Sequence, residues 1–189
     1  MGLPEFKYIT AEDYLATERL ALDKHEYFRG EIFAMSGASI PHNIIASNLA
    51  GDFRTRLKGK KCRAFGSDLR IHIPKNTLYT YPDISIICGE IETTDDSFDT
   101  AKNPSVLIEI LSKSTRDYDK GGKFTLYRDI ETLKEYILVD TEKVCIEKFS
   151  RNPDNSWLLT EYKSLEGSFT IVAVDVTLQL ADIYEDVKF

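Results

Sequence analysis

The stretch YPDISIICGEIETTDDSFDTAKNPSVLIEILS, residues 81–112, decides the fold. Its two ends, YPDISIIC and PSVLIEILS, are dense apolar runs of the kind found in strands covered on both faces, so both are expected near the centre of a sheet. Two acids stand in or beside these runs, Asp83 and Glu109. An ionised carboxylate there is costly unless it is paired, hydrogen-bonded or metal-bound. Period-two alternation puts Glu109 on one face with Leu107 and Leu111, among apolar neighbours. A divalent cation would neutralise both acids. Mg²⁺ suits them because it prefers oxygen ligands and commonly takes one or two protein carboxylates, leaving positions for water and a substrate phosphate. Each acid also has a plainer reading: Asp83 after Pro82 caps a turn, and Glu109 pairs with an arginine from elsewhere.

Working outward, STRDYDKGGKFTLYRDI reads as a turn followed by a helix from about Asp117 to Ile130. On such a helix Lys120, Lys123 and Tyr127 share a face at i, i+3 and i+7. KEYILVD and KVCIEKFS read as strands around an Asp140-to-Lys143 turn, SWLLTEYKS continues the meander, and LQLADIYED ends the chain in a short helix. Upstream, SDLRIHI alternates, with Leu69, Ile71 and Ile73 on one side and Asp68, Arg70 and His72 on the other, which predicts a half-buried strand. Ser39 and Pro41 open a long helix to about Lys58, whose core face repeats at Ile45, Leu49, Phe53 and Leu57. HEYFRG and EIFAMSG form a hairpin turning near Arg29 and Gly30. Thr10 with Asp13 resembles a capping box opening the helix TAEDYLATER.

A chain of 189 residues, 42% hydrophobic, is expected to bury one core as a single domain over 1–189. Cys62, Cys88 and Cys145 are widely spaced, so neither a disulfide framework nor a zinc site is suggested, and a reducing compartment fits best. No stretch approaches the roughly 20 apolar residues that span a bilayer, and MGLPEFKY lacks a signal pattern. Phe6 stands where myristoylation of Gly2 wants Ser or Thr. A cytoplasmic protein with no membrane partner is expected. The net charge of −7 counts against general affinity for a polyanion, but the distribution is uneven. Six bases lie between Arg54 and Arg63, whereas five acids cluster in residues 89–99. The basic run is either a helix C-terminus plus a solvated turn or a phosphate-contacting patch.

The segments YPDISII, VLIEILSKST, DYDKGGKFTLY and LKEYILVD, in this order and spacing, resemble the Uma2 family of endonucleases, within the PD-(D/E)XK nuclease superfamily. YFRGEIFAMSGASIPHNIIASNLA is similar to the same family's entry segment, so the resemblance runs from about Tyr8 to Tyr184. It implies an α/β (α+β) restriction-endonuclease-like core, a mixed central sheet flanked by helices. It also implies hydrolysis of phosphodiester bonds in nucleic acid, DNA by expectation, with Asp83, Glu109 and the Ile110 backbone carbonyl holding Mg²⁺ or Mn²⁺. The superfamily's lysine ordinarily stands two residues after the second acid, where this chain has Leu111. The Uma2-like pattern moves it to the following helix, at Lys123, with Lys120 as the fallback. Glu31 is a candidate for a further metal contact, unless it is a solvent-facing strand residue. His42, at a helix N-terminus, is a candidate for touching a phosphate or linking to the carboxylates, unless it is a capping or core residue. Tyr127 presents a phenol beside Lys123, and Asp119 either orients that lysine or begins its helix. The resemblance further suggests a homodimer. A nuclease-like fold used as a catalytically silent binding module is the competing reading. A carboxylate-pair sugar hydrolase has no support in the residues.

Overall fold

The computed structural model describes residues 8–189. The segment read for targeting signals, residues 1–7 with Gly2 and Phe6, lies outside them.

Local chemistry sets the first elements. Thr10 caps α1, Ala11–Glu18, by accepting the Asp13 N–H at 3.1 Å. The hairpin β1, His25–Phe28, and β2, Glu31–Ala34, turns through Arg29 and Gly30, both at positive φ (50° and 89°), the pairing a type I′ turn demands. Ser39 caps α2, Ile40–Arg56, with Pro41 in its first turn, and the expected stripe of Ile45, Leu49, Phe53 and Leu57 is buried. Strands β3, Cys62–Gly66, β4, Arg70–Ile73, β5, Leu78–Thr80, β6, Ile84–Cys88, β7, Thr100–Ala101, and β8, Val106–Leu111, follow. Helical residues then run continuously through α3, Arg116–Tyr118, a π-helical turn at Asp119–Lys123 and α4, Phe124–Tyr127. The meander is β9, Glu135–Asp140, β10, Ile146–Arg151, and β11, Trp157–Tyr162. A ribbon of β12, Ser168–Ile171, and β13, Val176–Gln179, leads into α5, Leu180–Ile183.

The described residues form three sheets. The largest runs β11-β10-β9-β8-β6-β3, mixed because β8 and β9 are parallel while its other pairs are antiparallel; the second runs β2-β1-β5-β4-β7. As expected, β6 and β8 are interior strands of the largest sheet, paired directly. Their alternation splits the core. Ile84, Ile86, Val106, Ile108 and Ile110 join the cluster that contains the α2 stripe, α5 and the β12–β13 ribbon. Ile87, Leu107 and Leu111 join the opposite cluster with Ile71, Leu78, Tyr127 and Tyr136. Each such aliphatic side chain contributes roughly 1.5–3 kcal/mol by leaving water. By parity Glu109 belongs to the second face, towards α4 and the smaller sheet.

Two expectations fail. The strand carrying Arg70 is not half-buried, because α1 and the acidic segment cover its polar side. Arg70, 3% exposed, donates to Thr100 Oγ1 at 2.9 Å and Tyr81 Oη at 3.0 Å and pairs with Asp99 at 3.0 Å. Arg19, the C-cap of α1, also binds Asp95 and Asp99, each at 2.7 Å. The acidic segment is therefore partly neutralised within the fold. The reading of the cysteines also fails: Cys62 and Cys88, opposite each other in the β3–β6 register, form a disulfide, leaving Cys145 as the buried free thiol. Sequence distance concealed a pair that antiparallel pairing brings face to face, and the basis for inferring a reducing compartment goes with it.

Candidate functional site

The β6–β8 ladder ends at Ile84 opposite Ile108, and the two acids lie just past it, where the strands no longer pair. Asp83 Oδ2 accepts the Ile110 N–H at 2.7 Å, tying the two strand ends together. A strand residue's N–H and C=O point to the same edge, so the Ile110 carbonyl also faces Asp83. Asp83 Oδ2 further contacts His42 Nε2 at 3.1 Å, from the first turn of α2. An ionised carboxylate only accepts, so Nε2 carries the hydrogen. The His42 Nδ1 is buried with no partner among the described residues.

Glu109, 4% exposed, has its Oε1 held by the Tyr127 hydroxyl at 2.7 Å and by Lys123 Nζ at 3.0 Å. Its Oε2 accepts only a long 3.4 Å contact from the Asp83 N–H. One oxygen of each acid, Asp83 Oδ1 and Glu109 Oε2, is thus left with little or no hydrogen bonding from the described residues. Lys123 is equally buried. Its ammonium also pairs with Glu26 Oε1 at 3.1 Å and Asp119 Oδ1 at 3.7 Å. Glu26 is held in turn by a short hydrogen bond from the Thr80 hydroxyl on β5. Three carboxylates therefore surround one lysine.

Electrostatics follow from that imbalance. Burial pushes the Glu109 carboxyl up to about 8, against the pull of Lys123, with Asp119 and Asp83 adding to the rise. Burial also raises Asp119. Burial alone would lower Lys123, but Glu109, Glu26 and Asp119 outweigh it and hold the ammonium well above its ordinary value. The lysine is a permanent cation here, suited to donating hydrogen bonds and not to accepting a proton. An oxygen-only donor set with surplus negative charge fits a hard divalent cation.

Of the residues singled out in the sequence, Asp83, Glu109, Ile110, Lys123, Tyr127 and His42 meet. Two do not. Glu31 is exposed on β2, beyond the turn from the strand that carries Glu26. Lys120 pairs with Glu147 on β10 by a short contact. Lys120 and Lys123 share a face only on a regular α-helix, and the π turn breaks that register. Glu26 was missed. Its one signal is alternation in HEYF, which places an acid on the face shared with Phe28. Elsewhere, Cys145, Glu147 and Glu161 lie close enough to ligate a metal, but Lys120 and Lys163 already neutralise their carboxylates.

The model of the family described as "Uma2: Putative restriction endonuclease" matches residues 11–181. This chain belongs to the Uma2 family. Two relatives come from Synechocystis sp. The uncharacterized protein slr1290 is 35% identical over 184 residues, covering 97% of this chain and 95% of the relative. The uncharacterized protein sll1609 is 38% identical over 155 residues, covering 82% and 88%. A crystal structure from Anabaena variabilis, described as a "putative nuclease belonging to DUF820", superposes with a TM-score of 0.75 at 17% identity, covering 93% of this chain and 97% of that one. At that identity the likeness concerns the fold, and the Uma2 chain shares its mixed sheets flanked by helices. No helix among the described residues is long and apolar enough to cross a membrane.

Proposed function

We propose that the chain is a divalent-metal-dependent endonuclease that hydrolyses phosphodiester bonds in DNA. The observation that carries this reading is the uncommitted oxygen left on each of Asp83 and Glu109 where β6 and β8 part, with the Ile110 carbonyl facing the same gap. These three groups would hold Mg²⁺ or Mn²⁺. When bound, the ion lowers the pKa of a water and offsets charge developing on the phosphate.

The chain's own residues have separate tasks. Tyr127 and Lys123 fix Glu109 Oε1, which turns Oε2 towards Asp83. His42 and the Ile110 N–H fix Asp83 Oδ2 in the same manner. Lys123 stays protonated and adds positive charge beside the position of the phosphate, where a low-dielectric wall strengthens its effect. Glu26 and Asp119 hold the lysine in place.

Calorimetry with Mn²⁺, together with cleavage of plasmid DNA, single-stranded DNA and single-stranded RNA in EDTA, Mg²⁺ and Mn²⁺, tests the proposal. Wild type is expected to bind Mn²⁺ and to cut only with metal. Asp83→Ala and Glu109→Ala lose both properties. Equal cutting by wild type and both variants would indicate contamination and sink it. Mn²⁺ binding without cutting of DNA or RNA would favour the silent binding module.

A further inference from the structure

The candidate site opens into a cleft of about 2460 Å³. One wall is α2 with the chain leading through β3, and the other is the β1–β2 hairpin with residues flanking it, from Leu22 to Ala38. β3 is an edge strand of the largest sheet, paired only with β6 among the described residues.

The two walls differ in charge. Of the six bases between Arg54 and Arg63, Arg56 is taken by Asp52 and Asp182, and Lys60 by the Val174 and Asp175 carbonyls. Arg54, Lys58 and Arg63 are exposed, line the cleft and have no ion-pair partner among the described residues. In a chain of net charge −7, three free cations along one wall are a local exception. On the opposite wall the single lining cation, Lys24, is paired with Asp68 at 2.6 Å, while Asp23 adds negative charge. That wall instead offers aromatic surface: Phe28 and Phe33, the latter 45% exposed.

We infer that the cleft takes a single-stranded polynucleotide, with phosphates along Arg54, Lys58 and Arg63 and bases against Phe33 and Phe28. A duplex presents two phosphate backbones, and only one wall here can neutralise one. Cations that follow a single backbone opposite aromatic faces for its bases make the arrangement that binds unpaired strands. α2 aids the approach, since its cleft-lining positions Ala46, Ser47, Ala50 and Gly51 are small. This deepens the nuclease reading and rests on it for the class of substrate.

The test is fluorescence anisotropy in EDTA, where no metal-dependent cutting occurs, with labelled oligonucleotides of about 16 nucleotides as single-stranded DNA, single-stranded RNA and duplex DNA. A single strand of either sugar is expected to bind at least about tenfold more tightly than the duplex. In the combined Arg54→Ala, Lys58→Ala, Arg63→Ala variant the dependence of log affinity on log salt should fall by about 0.7 per lost phosphate contact. Phe33→Ala should weaken binding about tenfold and leave that slope unchanged, as loss of a stacking face requires. Duplex binding equal to or tighter than single-strand binding would overturn the inference, as would an unchanged salt slope in the triple variant. If the strand binds as stated but Mn²⁺ elicits no cleavage, the nuclease reading fails while the binding path stands.

Discussion

Lys123 Nζ lies 3.0 Å from Glu109 Oε1, so the helix after β8 supplies the cation that β8 itself lacks at Leu111. The pair is buried on both sides, and Glu26 and Asp119 depend on the same ammonium. Lys123→Met should therefore destabilise the fold by about 3–5 kcal/mol, the usual cost of stranding buried charge, and abolish cleavage. Urea denaturation measures the first effect. Adding Glu109→Gln should recover part of the stability and none of the activity. If the single variant is as stable as wild type, the carboxylates around Lys123 are not ionised in the fold.

His42 reaches Asp83 through Nε2 alone. Gln places an amide N–H at about the same reach, whereas Ala leaves Asp83 Oδ2 with the Ile110 N–H only. His42→Ala is expected to weaken Mn²⁺ binding about 10–100-fold, the range for losing a group that orients a ligand, and His42→Gln to restore most of it. Calorimetry reads both. Equal loss in the two variants would mean that the imidazole itself is a ligand.

Cys62 and Cys88 face each other across β3 and β6, 26 residues apart in the chain. Closing a loop of that length is worth about 3.5 kcal/mol of unfolded-state entropy in the chain-entropy model. Thiol titration of the non-reduced, denatured protein should find one free cysteine, Cys145, and Cys62→Ser with Cys88→Ser should lower stability by about that amount. Three free thiols after purification without reductant would contradict the bond.

His72 stacks on Tyr79 with ring centroids 3.9 Å apart and contacts Thr94 Oγ1 at 3.2 Å. Burial, with Lys102 and Arg70 adding, lowers its pKa from 6.5 to about 4. The neutral ring is thus the folded form. Above pH 6.5 its contribution to stability is complete, and it is lost as pH falls towards 4, because the unfolded chain takes up a proton that the folded chain refuses. The loss is at most about 3 kcal/mol. Denaturation at pH 7.5 and 4.5 should show a smaller drop for His72→Phe than for wild type. An equal drop would show that His72 is protonated in the fold at pH 4.5.

Much of this protein is legible from local pattern alone. The caps at Thr10 and Ser39, the Arg29–Gly30 turn, the α2 stripe and the two apolar strands with their acids depend on residues near one another in the chain, and steric and burial rules act at that range. Sequence by itself therefore determined that Asp83 and Glu109 lie at or inside buried strands and need a partner. Only the tertiary structure decided who the partners are. Glu26 enters the site because β1 pairs with β5, whose Thr80 fixes its carboxylate. Lys123 and not Lys120 faces Glu109 because one π turn shifts the helical register. Cys62 meets Cys88, and three bases of a run of six are left free beside a cleft, because pairing between distant segments chooses which groups become neighbours. Such choices are set by the burial of whole faces, which no short window of sequence contains.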